Sequence, residues 1–201
     1  MSVAAIAATI RSAFNPKLLK PSIRVDDIRS IDFSALKRKG ITGIVIDRDN
    51  CLTLPRQDYV IEEIQSSWDD CKSVFGNRCV ILSNSAGTSK DPGLIQANVV
   101  SRNTGVDVLE HSDPKPSSRL KAPLEARFGA LNNVAFIGDR LLTDVYMANN
   151  FGGVSIHTKQ LWGNDSKGEA FGRWLENWLA KGVVADNSGY LDCIRVTLMD
   201  K

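Results

Sequence analysis

The sequence predicts an α/β protein built on a mainly parallel sheet with helices on both faces. Two observations carry this. Short apolar runs alternate with stretches whose apolar residues recur every three or four positions, and polar clusters fall directly after the apolar runs. Such a β-α-β order needs crossover connections, which lay helices against the faces of a parallel sheet. With 201 residues, 43% hydrophobic and 24% charged, the chain can bury a core of its own. It contains no internal repeat or low-complexity tract.

Residues 3–14 (VAAIAATIRSAF) open the chain with Ile6, Ile10 and Phe14 on one helical stripe. Arg11, Lys17, Lys20 and Arg24 are the charges of residues 1–25, and Asp26 is the first carboxylate. A secretory signal places its basic residues before the apolar stretch, not after it. Three readings fit: a mitochondrial-type presequence, a helix lying on a membrane interface, or a helix docked on the parent domain. Pro16 and Pro21 end the segment, so residues 1–25 read as an appendage to a domain spanning 26–201.

Residues 41–46 (ITGIVI) predict a buried strand that stops at Asp47. Ile61, Ile64, Trp68, Cys71 and Phe75 give the stripe of an amphipathic helix, and residues 79–82 (CVIL) a second strand ending at Ser83. A helix over 94–102, a strand over 106–109 and a helix over 118–128 follow. Residues 134–137 (VAFI) form a further strand ending at Gly138 and Asp139, then a helix over 142–151 and a short strand over 154–156. Near the C-terminus, Phe171, Trp174, Leu175, Trp178 and Leu179 share a helical face, which suits a core, a subunit interface or a membrane interface.

Composition removes several function classes. A net charge of +2 is too small for the electrostatic footprint of a nucleic-acid binder. No apolar run approaches the roughly 20 residues of a membrane span. Cys51, Cys71, Cys79 and Cys193 form no CxxC pair and only His111 and His157 accompany them, so a structural zinc site is not expected. They read as reduced thiols packed as small hydrophobes.

Ligands of open α/β sheets bind beyond the carboxyl ends of the strands. The clusters there are Asp47-Arg48-Asp49-Asn50, Ser83-Asn84-Ser85, Gly138-Asp139-Arg140 with Asp144 beyond, and His111 to Pro116 with Lys115. Turns alone favour such residues, but together these bring carboxylates, hydroxyl and amide donors and a lysine to one rim. That set suits phosphoryl transfer. Asp47, Asp49 and Asp139 offer hard oxygen ligands to Mg²⁺. A carboxylate can attack phosphorus, and a second acid can protonate the leaving alkoxide. Lys115 and the Ser83 hydroxyl would neutralise charge on the transferred group.

The set Asp47-x-Asp49 (IDRDNCLT), Ser83 (ILSNS), Lys115 (DPKP) and Gly138-Asp139 with Asp144 (IGDRLLTD) resembles the haloacid-dehalogenase (HAD) phosphatase superfamily. More narrowly, the opening DIRSIDFSALKRKGITGIVIDRDNCLT, the Asn-Cys after the second Asp and the GDRLLTD wording resemble the mitochondrial phosphatidylglycerophosphate phosphatases of fungi and plants. The resemblance implies a HAD-like Rossmannoid fold with Asp47 as nucleophile and metal ligand. It makes Asp49 the general acid/base, with its backbone carbonyl on the metal. Ser83 and Asn84 would hold phosphoryl oxygens and Lys115 would steady Asp47. Asp139 would be a further metal ligand, with Asp144 a direct or outer-shell partner of the Mg²⁺. Arg140 would take a second phosphate or pair with Asp139 or Asp144. Two departures stand out: Cys51 where many members carry Thr, and Arg48 in place of a Lys or apolar residue.

The intervals 53–83 and 85–115 each leave room for one helix and one strand, so no cap domain is expected. A capless site is open to large or surface-presented substrates, and it suits a homo-oligomer in which a neighbour acts as lid. The narrower resemblance implies removal of the terminal phosphate of an anionic phospholipid at the matrix face of the mitochondrial inner membrane, by a peripheral enzyme on the route to cardiolipin. The alternatives are a phosphatase for a soluble sugar phosphate or a nucleic-acid 3′-phosphate, and a non-catalytic scaffold, which the complete motif set disfavours.

Overall fold

A computed structural model describes residues 3–162, 167–185 and 187–195. Strands β1 (Ile23–Val25), β2 (Gly43–Ile46), β3 (Cys79–Ile81), β4 (Val134–Gly138) and β5 (Val154–Thr158) form one sheet, order β1-β5-β4-β2-β3, with every pairing parallel. The α-helices among the described residues are α1 (Val3–Phe14), α2 (Phe33–Arg38), α3 (Glu62–Phe75), α4 (Ile95–Thr104), α5 (Lys121–Phe128), α6 (Tyr146–Phe151) and α7 (Lys167–Leu179).

The strand pleat divides the core in two. Ile44, Ile46, Ile81 and Ile137 face a layer made by Phe33 and Leu36 of α2, Ile64, Trp68 and Cys71 of α3, and Val100 of α4. Val45, Val80, Val134 and Phe136 face Leu124 and Phe128 of α5 and Met147 and Phe151 of α6. A sheet covered on both faces explains why β2, β3 and β4 read as unbroken apolar runs instead of alternating ones. Trp68 is fully buried, and its indole N–H donates to the Thr104 carbonyl at 2.8 Å, which ties α3 to the end of α4. The expected α/β fold is present. The intervals 53–83 and 85–115 hold α3 with β3 and α4 with an edge segment, and no inserted domain among the described residues.

Some elements differ from expectation. The strand expected over 106–109 makes a single parallel bridge, Ile81 to Val108, because the chain then turns so that His111 N donates to Gly87 O at 2.8 Å. Strand β1 is too short to show a period, yet it pairs with β5 and closes the sheet edge within the segment set apart as 1–25. Helix α2 is capped by Asp32, whose side chain accepts from Ala35 N at 2.8 Å. The helix expected over 142–151 opens as a wide π-helical turn, Leu141–Val145, before α6.

The terminal helices flank that turn. Helix α1 buries the small residues Ala8 and Ser12, and Ala8 packs with Leu141, Leu142 and Val145. The stripe that the sequence marks as apolar, Ile6, Ile10 and Phe14, is the exposed side. Helix α7 buries Leu179 in the same cluster, while Phe171, Trp174 and Trp178 are exposed, so the expected single face is divided between core and solvent. No helix among the described residues is long and apolar enough to cross a membrane.

Candidate active site

Because the strands run parallel, the residues that follow β2, β3 and β4 arrive at one edge of the sheet. Asp47 N donates to Ile137 O at 2.8 Å, extending the β2–β4 ladder by one residue and fixing where its carboxylate stands. The Lys115 ammonium lies 2.7 Å from Asp47 Oδ1 and 2.7 Å from Asp144 Oδ1, and almost none of it reaches solvent. Asp144 is delivered by the π-helical turn, where Arg140 O accepts from both Asp144 N and Val145 N. Its carboxylate presses on Gly138: a Cβ built there would stand 2.3 Å from Asp144 Cγ. This is the physical reason for glycine in the Gly138-Asp139 pair.

Asp47, Asp139 and Asp144 each place a carboxylate oxygen within 4.8 Å of the others. Crowding like charges out of water has the expected effect. Burial, with Asp144 and Asp139 beside it and Lys115 opposing, pushes Asp47 up to about 7. Burial also pushes Asp139 to about 6 against the opposing Arg173. For Lys115, burial works against the charge, but Asp144 and Asp47 outweigh it and its pKa is raised. An all-oxygen donor set held at high free energy by mutual repulsion fits a hard divalent cation such as Mg²⁺.

Asp49 faces a second group of partners. Its carboxylate accepts from Arg48 Nη2 at 2.9 and 3.0 Å, from the Arg56 amide at 3.0 Å and from Ser85 Oγ at 3.3 Å. Arg48 is a buried cation and also donates to Ser85 Oγ at 2.9 Å. Ser83 is fully buried, and its hydroxyl accepts from the amides of Ser85 and Ala86, holding the loop after β3 in shape. Asn84 accepts from Lys115 N at 2.7 Å, which sets the loop carrying the lysine. His111 staples the same two loops: its ring nitrogens reach Ser83 O at 2.9 Å and Asp113 O at 2.7 Å. Cys51 is buried in the core, its thiol pushed far up by burial and the nearby carboxylates. All four cysteines are free and buried, as expected.

Helix α7 adds residues that the sequence reading did not single out. Arg173 Nη2 lies 2.5 Å from Asp139 Oδ2 and its Nη1 donates to the Asp139 carbonyl. Glu176, buried, accepts from Arg140 Nε at 2.8 Å and from Leu141 N at 3.1 Å. The Arg140 guanidinium therefore pairs with Glu176, correcting the expected pairing with Asp139 or Asp144; only its backbone N–H reaches Asp144. The signal available was the Arg173/Glu176 pair, three apart, which puts charge on the helix side bearing Leu179. His157 of β5 sits beneath Asp139, with Nε2 3.2 Å from its carbonyl; burial lowers its pKa to about 4, so the ring is neutral and Nε2–H is the donor.

The family described as mitochondrial PGP phosphatase matches residues 3–161. Phosphatidylglycerophosphate phosphatase 1, chloroplastic, of Chlamydomonas reinhardtii is 36% identical over 180 residues, covering 84% of this chain and 65% of the relative. The mitochondrial phosphatidylglycerophosphatase of Saccharomyces cerevisiae is 32% identical over 161 residues, 78% of this chain and 86% of its own. The chloroplastic/mitochondrial phosphatidylglycerophosphate phosphatase 1 of Arabidopsis thaliana is 36% identical over 143 residues, and the chain spans 41% of its length. No solved structure matches the chain. A match over most of the described chain, including every strand of the sheet and the carboxylate cluster at its edge, means that this chain belongs to the mitochondrial PGP phosphatase family.

Proposed function

We propose that the protein removes the terminal phosphomonoester of phosphatidylglycerophosphate, leaving phosphatidylglycerol and inorganic phosphate. The observation that carries this is Asp47, held by Lys115 beside two further buried carboxylates, in a chain of this family. Asp47, Asp139 and Asp144 would hold Mg²⁺, which would offset the negative charge of the phosphoryl group and of the carboxylates around it. The Asp47 carboxylate oxygen attacks phosphorus as the ester P–O bond breaks, giving an aspartyl-phosphate. The departing alkoxide takes the proton of the Asp49 carboxyl group. Asp49, now a carboxylate, takes a proton from water; the water oxygen attacks phosphorus, the bond to Asp47 breaks and phosphate leaves. Lys115 opposes protonation of Asp47 before the attack and holds its position through both steps. Ser83 and Asn84 shape the loops around the phosphoryl group.

The substrate meets the site from a membrane surface in this reading. Ile6, Ile10 and Phe14 of α1 and Phe171, Trp174 and Trp178 of α7 are exposed on the two helices that flank the Asp144 turn. Arg11, Lys17, Lys20 and Arg24 lie in residues 1–25, which contain no Asp or Glu. Exposed aromatic and aliphatic side chains combined with basic ones match an anionic lipid surface, here the matrix face of the mitochondrial inner membrane. The test is a panel of phosphatidylglycerophosphate, a sugar phosphate and a 3′-phosphorylated oligonucleotide offered to the purified protein, with Mg²⁺ and with EDTA. Preference for the lipid and loss of turnover in EDTA are expected. A preferred soluble ester would replace the lipid reading, and turnover indifferent to EDTA would remove the metal.

A further inference from the structure

A cleft of about 450 Å³ opens on the Asp49 side of the site; Arg48, Arg56, Ser85, Lys90 and one carboxylate, Asp91, are among its lining residues, with Ile95 on its apolar wall. Its volume is that of a small-ligand site, and its placement bears on the reaction. Arg48 and Ser85 both touch the Asp49 carboxylate and both line the cleft. Asp49 protonates the leaving oxygen, so the part of the substrate beyond that oxygen extends to this side.

The charge pattern of the cleft is unbalanced. Arg56 and Lys90 are exposed and neither has a carboxylate partner among the described residues. Arg48 is 3% exposed, and its buried Nε lacks an acceptor. The nearby carboxylates are already engaged. Asp91 accepts from the amides of Gly87, Gln96 and Ala97, and Asp58 accepts from Arg48 and from the Gln96 side chain. Arg56 itself is held in the left-handed backbone region, φ 66°, while its amide bonds to Asp49. A left-handed arginine is an uncommon conformation, and here it couples the cation of the cleft to the acid of the reaction. Two exposed cations without carboxylate partners at the rim of one cleft call for an anion.

We propose that this cleft is a second anion subsite, taking the phosphodiester that lies one glycerol unit beyond the scissile phosphomonoester. The proposal rests on the phosphatidylglycerophosphate reading and deepens it: Arg56 and Lys90 distinguish that headgroup from a phosphomonoester with nothing anionic behind it.

The experiment compares three substrates in wild type and in the double variant Arg56→Ala/Lys90→Ala. These are glycerol 3-phosphate, the water-soluble deacylated headgroup glycerophosphoglycerophosphate, and phosphatidylglycerophosphate in vesicles. Wild type is expected to prefer the deacylated headgroup to glycerol 3-phosphate in kcat/KM, and the double variant to compress that ratio by about tenfold or more, the scale of a lost charge-assisted hydrogen bond. Arg56→Lys/Lys90→Arg, which keeps both charges, is expected to restore most of it. An unchanged ratio, or equal losses on both soluble substrates, would overturn the subsite. A loss confined to vesicles would also overturn it, since the cations would then be reading neighbouring lipid headgroups. Wild type that cleaves glycerol 3-phosphate but neither headgroup substrate would bring down the proposed function itself, a result separate from the others.

Discussion

Lys115 shows how one side chain supports both the stability and the chemistry of the site. It is buried and in contact with Asp47 and Asp144 at 2.7 Å each, so its removal leaves like charges facing each other out of water. Lys115→Met is expected to cost about 3–5 kcal/mol, the usual scale for stripping one partner from a buried ion pair, and to abolish turnover. Denaturant unfolding checks the first, and a variant as stable as wild type would contradict the pairing. Asp47→Asn, by contrast, removes a charge from a repulsive cluster, so turnover is expected to vanish while the unfolding midpoint holds or rises. Asp49→Asn is expected to slow turnover by about 10²–10⁴, the range for losing a general acid. The residue types were legible in the chain because Asp47, Ser83 and Asp139 close apolar runs and, together with Lys115, make a complementary set that turns alone do not call for. The partners of Arg140 were not. An arginine reaches far enough to choose among several carboxylates, and it chose Glu176, 36 positions away in sequence.

At the scale of elements, the π-helical turn Leu141–Val145 does what a regular helix start would not: it folds Asp144 back over Gly138. Gly138→Ala would force the carboxylate aside, and a loss of activity with a stability cost of about 1–3 kcal/mol, the scale of overpacking, is expected from assays and unfolding together. Full activity would mean that Asp144 has room to spare. Helices α1 and α7 carry the opposite kind of feature, exposed apolar side chains whose removal costs the fold little. Ile10→Ser with Trp174→Ala is expected to weaken binding to anionic vesicles while unfolding shifts by no more than about 0.5 kcal/mol, as for other exposed positions. Sedimentation with vesicles reads the first, and undiminished partitioning would remove these helices from the membrane contact. The 3.6-residue period gave the existence of both helices. It could not give their orientation: α1 buries Ala8 and Ser12, because small residues let its backbone approach the turn closely.

For the whole molecule, the site is made by a parallel sheet that sends its strand ends to one edge, and the cost is three carboxylates packed out of water. In the metal-free protein Asp47 and Asp139 take protons more readily than in the unfolded chain, with values of about 7 and about 6. Their contribution is therefore fullest at low pH and is lost as pH rises through those values. His157, held neutral with a value of about 4, works in the other direction and offsets one of them. The net is roughly one proton between about pH 4 and 6, so stability in EDTA is expected to fall by about 1.4 kcal/mol per pH unit there. Mg²⁺, which favours the ionised carboxylates, is expected to reverse that slope. Thermal unfolding in EDTA and in Mg²⁺ at several pH values checks both signs, and parallel slopes would argue against metal at these residues.

The sequence alone determined the α/β class, strands β2 to β5, helices α3 to α6 and the motif residues at the sheet edge, because burial on both faces leaves unbroken apolar runs, amphipathic helices carry a local period and strand ends impose local composition. Only the tertiary structure decided the rest: β1 at the sheet edge, the single bridge in place of a strand at 106–109, the exposed faces of α1 and α7, and the pairs Arg173–Asp139 and Arg140–Glu176. These depend on which surfaces meet across long stretches of chain, and a long charged side chain or a three-residue strand carries no local record of its partner.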